Sequence, residues 1–166
     1  NRMKAAQQLV YGEQIGWFGP EILDRADCWP FLRDCIQLRW RLREYFYRGH
    51  MARPPHLEGP VPRITADWQW SGEWLVTTDA ILTGAWRIPL ENRVVLLFAN
   101  VWDNPYTGRL DLNPEDYGLA GGSLKITAIQ PDGTQRPLRV EAVDHANVEL
   151  PARSIISWEV RPASDK

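Results

Sequence analysis

Apolar residues follow two different periods along this 166-residue chain, and the change falls near residue 58. Between Asp27 and Arg48, apolar side chains recur every three or four residues, and no glycine or proline interrupts the segment after Pro30. This spacing predicts one long amphipathic helix, which Asp27 caps and Gly49 ends. Its apolar stripe consists of Cys28, Phe31, Cys35, Leu38, Leu42 and Tyr45.

The segment before this helix has a shorter and less regular pattern. Residues 3–8 are expected to be the tail of a helix, and the apolar run 8–12 is predicted to be a short buried strand. A loop with two glycines follows this run. We therefore divide the chain into a helical segment, residues 1–57, and a second domain, residues 58–166.

From about Val61 onward, apolar and polar residues alternate with the period of a β-strand. Turn signals such as Pro131-Asp132-Gly133 separate the alternating segments. The pattern predicts a mainly β fold, an antiparallel β-sandwich of about eight strands with the long N-terminal α-helix packed on it. The candidate strands are 62–70, 73–78, 80–88, 93–102, 107–112, 123–130, 135–143, 146–150 and 153–161.

The strand 93–102 differs from the others because both of its faces are apolar. Val94, Leu96 and Phe98 form one face, and Val95, Leu97 and Ala99 form the other. A strand of this kind needs cover on both sides. We expect one face to meet the opposite sheet and the other to meet the long helix. The strand 153–161 is instead expected to have one solvent-exposed face, which carries Ser157 and Glu159.

Composition excludes some function classes. A net charge of −2 and a pI of about 5.9 do not favour a nucleic-acid or anionic-membrane partner. No apolar run approaches the ~20 residues that span a bilayer. On a helix, Cys28 and Cys35 would lie ~10 Å apart, so we expect two buried free thiols. The sequence contains no zinc-site spacing and no nucleotide-binding motif, so we expect neither a metal nor a cofactor.

The tryptophans and arginines offer the candidate surfaces. A cluster of indole rings either fills a core or forms a platform on which sugars stack, with polar neighbours bonding the hydroxyls. The candidate carbohydrate-contact residues are Trp68, Gln69, Trp70, Glu73, Trp74 and, from an earlier loop, Trp17. Packing across strands is the favoured alternative, and a protein interface is a third. The arginines of the helix, interpreted as a solvated or interdomain face, are Arg33, Arg39, Arg41, Arg43 and Arg48.

Residues 1–57 resemble the last strand–loop–helix unit of a (β/α)8 barrel. The run 9–12 would be the strand, and it continues through Glu13 into a glycine-containing loop and the long helix. The second domain, residues 58–166, resembles the antiparallel sandwich that often trails such barrels in glycoside hydrolases. The segments 93–101 and 150–156 carry this second likeness. The chain thus resembles α-galactosidase-like hydrolases and related uncharacterised barrel proteins.

The resemblance implies that Glu13 is a catalytic candidate, but only in a complete barrel. A solvated or loop-bracing glutamate is the favoured alternative. Because a barrel typically needs ~250 residues, the resemblance implies that the chain is either the C-terminal piece of a longer glycoside hydrolase or a reduced relative without most of the barrel, and we expect the isolated chain to be inactive. The leading interpretation is a non-catalytic C-terminal portion that braces the barrel or contacts carbohydrate. A protein-interaction or assembly module is the alternative, with a second copy or the missing barrel portion as partner.

Overall fold

Three helices precede most of the strands in the computed structural model, which describes residues 2–16, 18–67, 73–119, 123–139 and 146–163. The helices are α1 (Arg2–Val10), α2 (Trp29–Arg41) and α3 (Arg43–Arg48). The strands are β1 (His50–Ala52), β2 (His56–Glu58), β3 (Arg63–Asp67), β4 (Leu75–Asp79), β5 (Ile81–Ile88), β6 (Arg93–Asn100), β7 (Tyr106–Asp111), β8 (Leu124–Ile129), β9 (Gln135–Leu138), β10 (Ala146–Leu150) and β11 (Ser154–Pro162).

The strands form antiparallel sheets, which confirms the predicted fold class. A six-stranded sheet has the order β1-β5-β6-β11-β8-β9, a three-stranded sheet has the order β10-β7-β2, and β3 and β4 form a separate hairpin. Strands β1 and β2 were not predicted, because each is only three residues long. The division of the chain at residue 58 remains a prediction.

Strand β6 is buried on both faces, as its apolar pattern predicts. Every residue from Val94 to Ala99 is at most 1% exposed. The face that carries Leu97 packs in one core with the three helices. The face that carries Phe98 packs in a second core with the three-stranded sheet. The molecule therefore has three layers, in which the six-stranded sheet lies between the helices and the smaller sheet.

The predicted long helix is confirmed in its packing but not in its continuity. All six residues of the stripe are buried, at 0–6% exposure. The helix is divided by a turn at Leu42, which separates α2 from α3. Asp27 does not cap it; Cys28 occupies the cap position without a capping side-chain bond, and its thiol donates a 3.3 Å hydrogen bond to Asp27. Asp27 instead accepts two hydrogen bonds from Arg25. Gly49 ends α3 as predicted.

The predicted strand at residues 8–12 is wrong, because α1 continues through Val10. Tertiary packing explains the helix: Ala5, Ala6 and Leu9 are buried at helical spacing in the core beneath α2. Close approach to β5 is possible because Gly84 has no side chain. A Cβ at Gly84 would lie 2.8 Å from the carbonyl oxygen of Val10.

The predicted solvent-exposed face of strand 153–161 is also wrong. Ser157 is fully buried and donates a hydrogen bond to the Ile129 carbonyl. The side chain of Glu159 is only 14% exposed. These residues lie opposite Leu97 and Val95 in the sheet, so the helices cover them together with the apolar face of β6. Polar side chains can occupy such a face when their hydrogen bonds are satisfied there.

Both cysteines are buried free thiols, as predicted. Desolvation by the surrounding core raises the pKa of the Cys35 thiol far above its usual value. A thiol of this kind is unreactive and contributes to the core as a small apolar group.

Candidate functional site

The proposed catalytic residue lies in a loop and not at the end of a strand. Glu13 follows the turn that ends α1, and its side chain is exposed. The barrel-strand position implied by the resemblance is therefore absent from residues 2–16, and a catalytic role of Glu13 remains a prediction. Within the described residues, no group of three or more histidine, cysteine or carboxylate side chains is placed to hold a metal ion. None of the described helices is long and apolar enough to cross a membrane.

The predicted carbohydrate-contact cluster is only partly visible. Trp17, Trp68, Gln69 and Trp70 lie outside the described residues. Glu73 and Trp74 precede β4, and both side chains are exposed, that of Trp74 to 61%. The Trp74 backbone N–H donates a 2.9 Å hydrogen bond to a carboxylate oxygen of Asp67, across the β3–β4 hairpin. The structure thus shows one exposed indole ring on a residue whose backbone is bonded to Asp67, and contact with sugar remains a prediction.

A second exposed aromatic surface lies on the side of α2 and α3 that faces away from the sheet. Ile36, Trp40 and Tyr47 are exposed to 45%, 67% and 79%. They line a shallow groove of about 210 Å³, which we call the outer groove. Its lining residues are Gln14, Ile15, Ile36, Arg39, Trp40, Arg43 and Tyr47.

Aromatic rings hold the two arginines of the outer groove in place. The guanidinium of Arg43 lies 4.6 Å from the ring centroid of Trp40 and donates a 2.9 Å hydrogen bond to the carbonyl of the same residue. The guanidinium of Arg39 lies 5.0 Å from the Phe46 ring and 5.9 Å from the Tyr47 ring. Cation–π contacts of this kind are each worth about 0.5–1 kcal/mol at exposed sites.

The outer groove combines apolar floor and positive charge. No carboxylate lines it, and neither Arg39 nor Arg43 forms an ion pair with any residue that the structure describes. Elsewhere on the same helices, Arg48 pairs with Glu91 at 2.9 Å and Arg33 pairs with Asp34 at 3.0 Å. The groove therefore presents two positioned guanidinium groups that form no ion pair among the described residues, and the charge of Arg43 acts at longer range on Glu44, whose pKa it helps to lower.

An ion network fastens the helices to the sheet on the opposite side. Arg93 of β6 contacts Glu159 of β11 at 3.2 Å, Glu44 of α3 at 2.7 Å and Glu91 at 2.6 Å. The Tyr45 hydroxyl donates a 2.7 Å hydrogen bond to Glu159. Burial raises the pKa of this phenol far above its usual value, and the bond to Glu159 acts in the same direction.

The sequence interpretation missed the outer groove because it treated the helix arginines as a solvated or interdomain face. A signal for it was present. Ile36, Trp40 and Tyr47 recur at spacings of four and seven residues on the side opposite the buried stripe. Two apolar stripes along α2 and α3 indicate two partners, and the described residues supply only one of them.

Comparisons with known proteins bear on architecture. No protein-family model and no curated protein matches this sequence. The solved structures that it resembles are glycoside hydrolases. A β-L-arabinopyranosidase of family 27 from Geobacillus stearothermophilus, in complex with arabinose, is 15% identical. That likeness covers 98% of this chain and 30% of that protein, with a TM-score of 0.49.

Two further structures match over about half of this chain. A family 30 xylanase from Clostridium acetobutylicum is 14% identical over 52% of this chain and 23% of its own, with a TM-score of 0.35. A family 44 xyloglucanase from Paenibacillus polymyxa is 11% identical over 55% and 19%, with a TM-score of 0.39. The chain spans less than a third of the length of each of these proteins.

Proposed function

We propose that this chain is the non-catalytic C-terminal portion of a glycoside-hydrolase-like protein, in which the β-sandwich braces the helical layer against the rest of that protein. The observation that carries this proposal is the burial of β6 on both faces. Because β6 contributes side chains to both cores, the helices and the three-stranded sheet pack on opposite faces of the same strand. A helical layer held in this way keeps a fixed position on the sandwich. Its outer groove faces away from the sandwich.

Polar contacts between the layers support the same role. The Trp86 indole N–H donates a 3.0 Å hydrogen bond to the Val10 carbonyl, which ties the end of α1 to β5. The network around Arg93 ties α3 to β6 and β11. Each helix is therefore either packed on the sheet or bonded to it, and bracing requires the two layers to move together.

Two measurements test the proposal on the chain itself. A panel of aryl glycosides should show no hydrolysis above the buffer rate. If the wild-type chain cleaves any of them and Glu13→Gln abolishes that activity, the chain is catalytic and the proposal is wrong. In urea, far-UV and near-UV circular dichroism should report a single coincident transition. Two separate transitions would mean that the helical layer is not braced by the sandwich.

Carbohydrate contact is a second candidate function, and the exposure of Trp74 favours it. Trp74 has an exposed indole ring, follows Glu73 in the sequence and is bonded through its backbone N–H to Asp67, and side chains of these kinds can stack on a sugar and bond its hydroxyls. Calorimetric titration with xylan, xyloglucan and galactan oligosaccharides should detect binding that Trp74→Ala abolishes. Leu75→Ala, at a neighbouring residue that is 58% exposed, should retain it. Binding that survives Trp74→Ala would exclude this site.

A further inference from the structure

We propose that the outer groove is a docking site for an acidic amphipathic helix of a partner protein. The inference rests on the proposed bracing function, because it names the surface through which the braced layer would receive its partner. The occupant is defined by its chemistry: apolar side chains at helical spacing, flanked by Asp or Glu. The apolar floor and the charge of the groove argue for this occupant independently.

The apolar floor brings three exposed apolar side chains into one groove. Ile36, Trp40 and Tyr47 stand together on one side of a helical pair whose other side is fully packed. Exposed apolar clusters of this kind mark interaction sites. At about 210 Å³ the groove is smaller than the roughly 300–1,000 Å³ typical of small-molecule pockets. It can accept one or two side chains of a docked helix, in the way that helix-in-groove complexes use anchor residues.

The positive charge of the groove favours a negatively charged partner. Arg39 and Arg43 are four residues apart, and cation–π contacts restrain both guanidinium groups. Each donates one hydrogen bond to a backbone carbonyl, that of Gly12 or of Trp40, and makes no ion pair among the described residues. A guanidinium pairs with a carboxylate through two parallel N–H bonds, and the restraint lowers the entropic cost of that pairing. A basic segment would be repelled.

The same charges argue against a second copy of this chain in the groove. A symmetric dimer through this face would bring the surface of one protomer against the identical surface of the other. Two copies of Arg39 and two of Arg43 would then share one interface, with no carboxylate in the lining to separate them. Like charges juxtaposed across an interface oppose association.

The test uses two synthetic helical peptides of about 20 residues. One carries Leu at three- and four-residue spacing with Glu on the flanks, and the other replaces every Glu with Lys. Calorimetry at physiological salt should give at least tenfold tighter binding of the acidic peptide. Arg43→Glu should weaken the acidic peptide about tenfold and strengthen the basic one, and Trp40→Ala should weaken the acidic peptide about tenfold. Arg136→Glu, at an exposed arginine of β9 outside the groove, should change neither affinity.

The proposal is overturned if both peptides bind equally, if neither binds, or if Arg43→Glu leaves the affinities unchanged. It is also overturned if light scattering detects a dimer that Trp40→Ala disperses, because a second copy would then occupy the groove. Tyr47→Ala, at a side chain that is 79% exposed, replaces Trp40→Ala if the latter fails to fold. Failure of the bracing function would instead appear as aryl-glycoside cleavage or two unfolding transitions, so the two failures are distinguishable.

Discussion

The two faces of α2 and α3 carry similar side chains but have opposite environments. On the inner face, large apolar residues such as Phe31, Leu38 and Leu42 are at most 3% exposed. On the outer face, Trp40 and Tyr47 are more than 60% exposed. The two faces differ in exposure because the sheet packs on only one of them, and not because their residue types differ. An apolar stripe on a helix indicates that another surface packs against it. Only the three-dimensional structure shows whether that surface belongs to the same chain.

The largest expected effect comes from the inner face. Leu38→Ala removes a fully buried side chain and leaves a cavity between α2 and the sheet. We expect a loss of about 2–5 kcal/mol in the free energy of unfolding, measured by urea denaturation. Leu90→Ala is the matched control, because Leu90 is 98% exposed and should change stability by no more than about 0.5 kcal/mol. A loss below about 1 kcal/mol for Leu38→Ala would show that the inner face is not well packed.

The next largest effect on stability is expected from the ion network of Arg93, which joins α3 to the sheet. Arg93→Met removes the nearer of the two cationic partners of Glu159, whose side chain is 14% exposed, and leaves the 3.9 Å contact with Arg161. We expect a loss of about 1–3 kcal/mol in urea denaturation, because a mostly buried carboxylate loses a charged hydrogen bond. Arg153→Met is the control, since Arg153 and Asp103 form an exposed pair that should contribute at most about 1 kcal/mol. Equal losses in the two variants would contradict a special role for the Arg93 network.

Acid should remove the contribution of Glu44 and leave the apolar packing intact. The hydrogen bond from Arg93 lowers the pKa of the Glu44 carboxyl below 4.5, its usual value. The unfolded state therefore takes up the proton first, so the stabilisation is present above that pH and is lost as the pH falls through the folded pKa. We expect Glu44→Gln to have a lower urea midpoint than the wild type at about pH 7 and the same midpoint at about pH 2. An equal deficit at both pH values would contradict this assignment.

The smallest effect on stability belongs to the outer face. Trp40→Ala should change the free energy of unfolding by no more than about 0.5 kcal/mol, because the indole is 67% exposed and contacts Arg43 across the surface. Urea denaturation checks this value beside that of Leu38→Ala. A loss comparable to that of Leu38→Ala would mean that the outer face is already packed within this chain, and the comparison between the two faces would fail.

Much of the fold could be predicted because its decisive residues are apolar. Strand β6 has two apolar faces, and α2 and α3 have an apolar stripe. One face of β6 packs against this stripe in the structure. Prediction failed where local pattern and tertiary burial disagree. Ser157 and Glu159 look solvated in sequence, yet both are satisfied beneath the helices. The run at 8–12 looks like a strand, yet packing on β5 through Gly84 holds its first half in a helix.

The candidate site was harder to predict than the fold. Five arginines on one helix resemble a solvated face when only their charge is considered. Their roles separate only in three dimensions, where Arg33 and Arg48 have carboxylate partners and Arg39 and Arg43 are stacked on aromatic rings. Pairing of this kind depends on side-chain geometry across α2, α3 and the preceding loop, which no periodicity in the sequence encodes.

Native-state hydrogen exchange tests most directly whether the two cores on either side of β6 unfold together. The account predicts that the slowest amides of α2 and of β10, which lie on opposite sides of the six-stranded sheet, exchange through one global opening with the same free energy. Phe98→Ala, on the sandwich side of β6, should then lower protection in both elements by the same amount. Protection that falls in β10 while α2 is unchanged would contradict the account, because the helices and the sandwich would then be independent units.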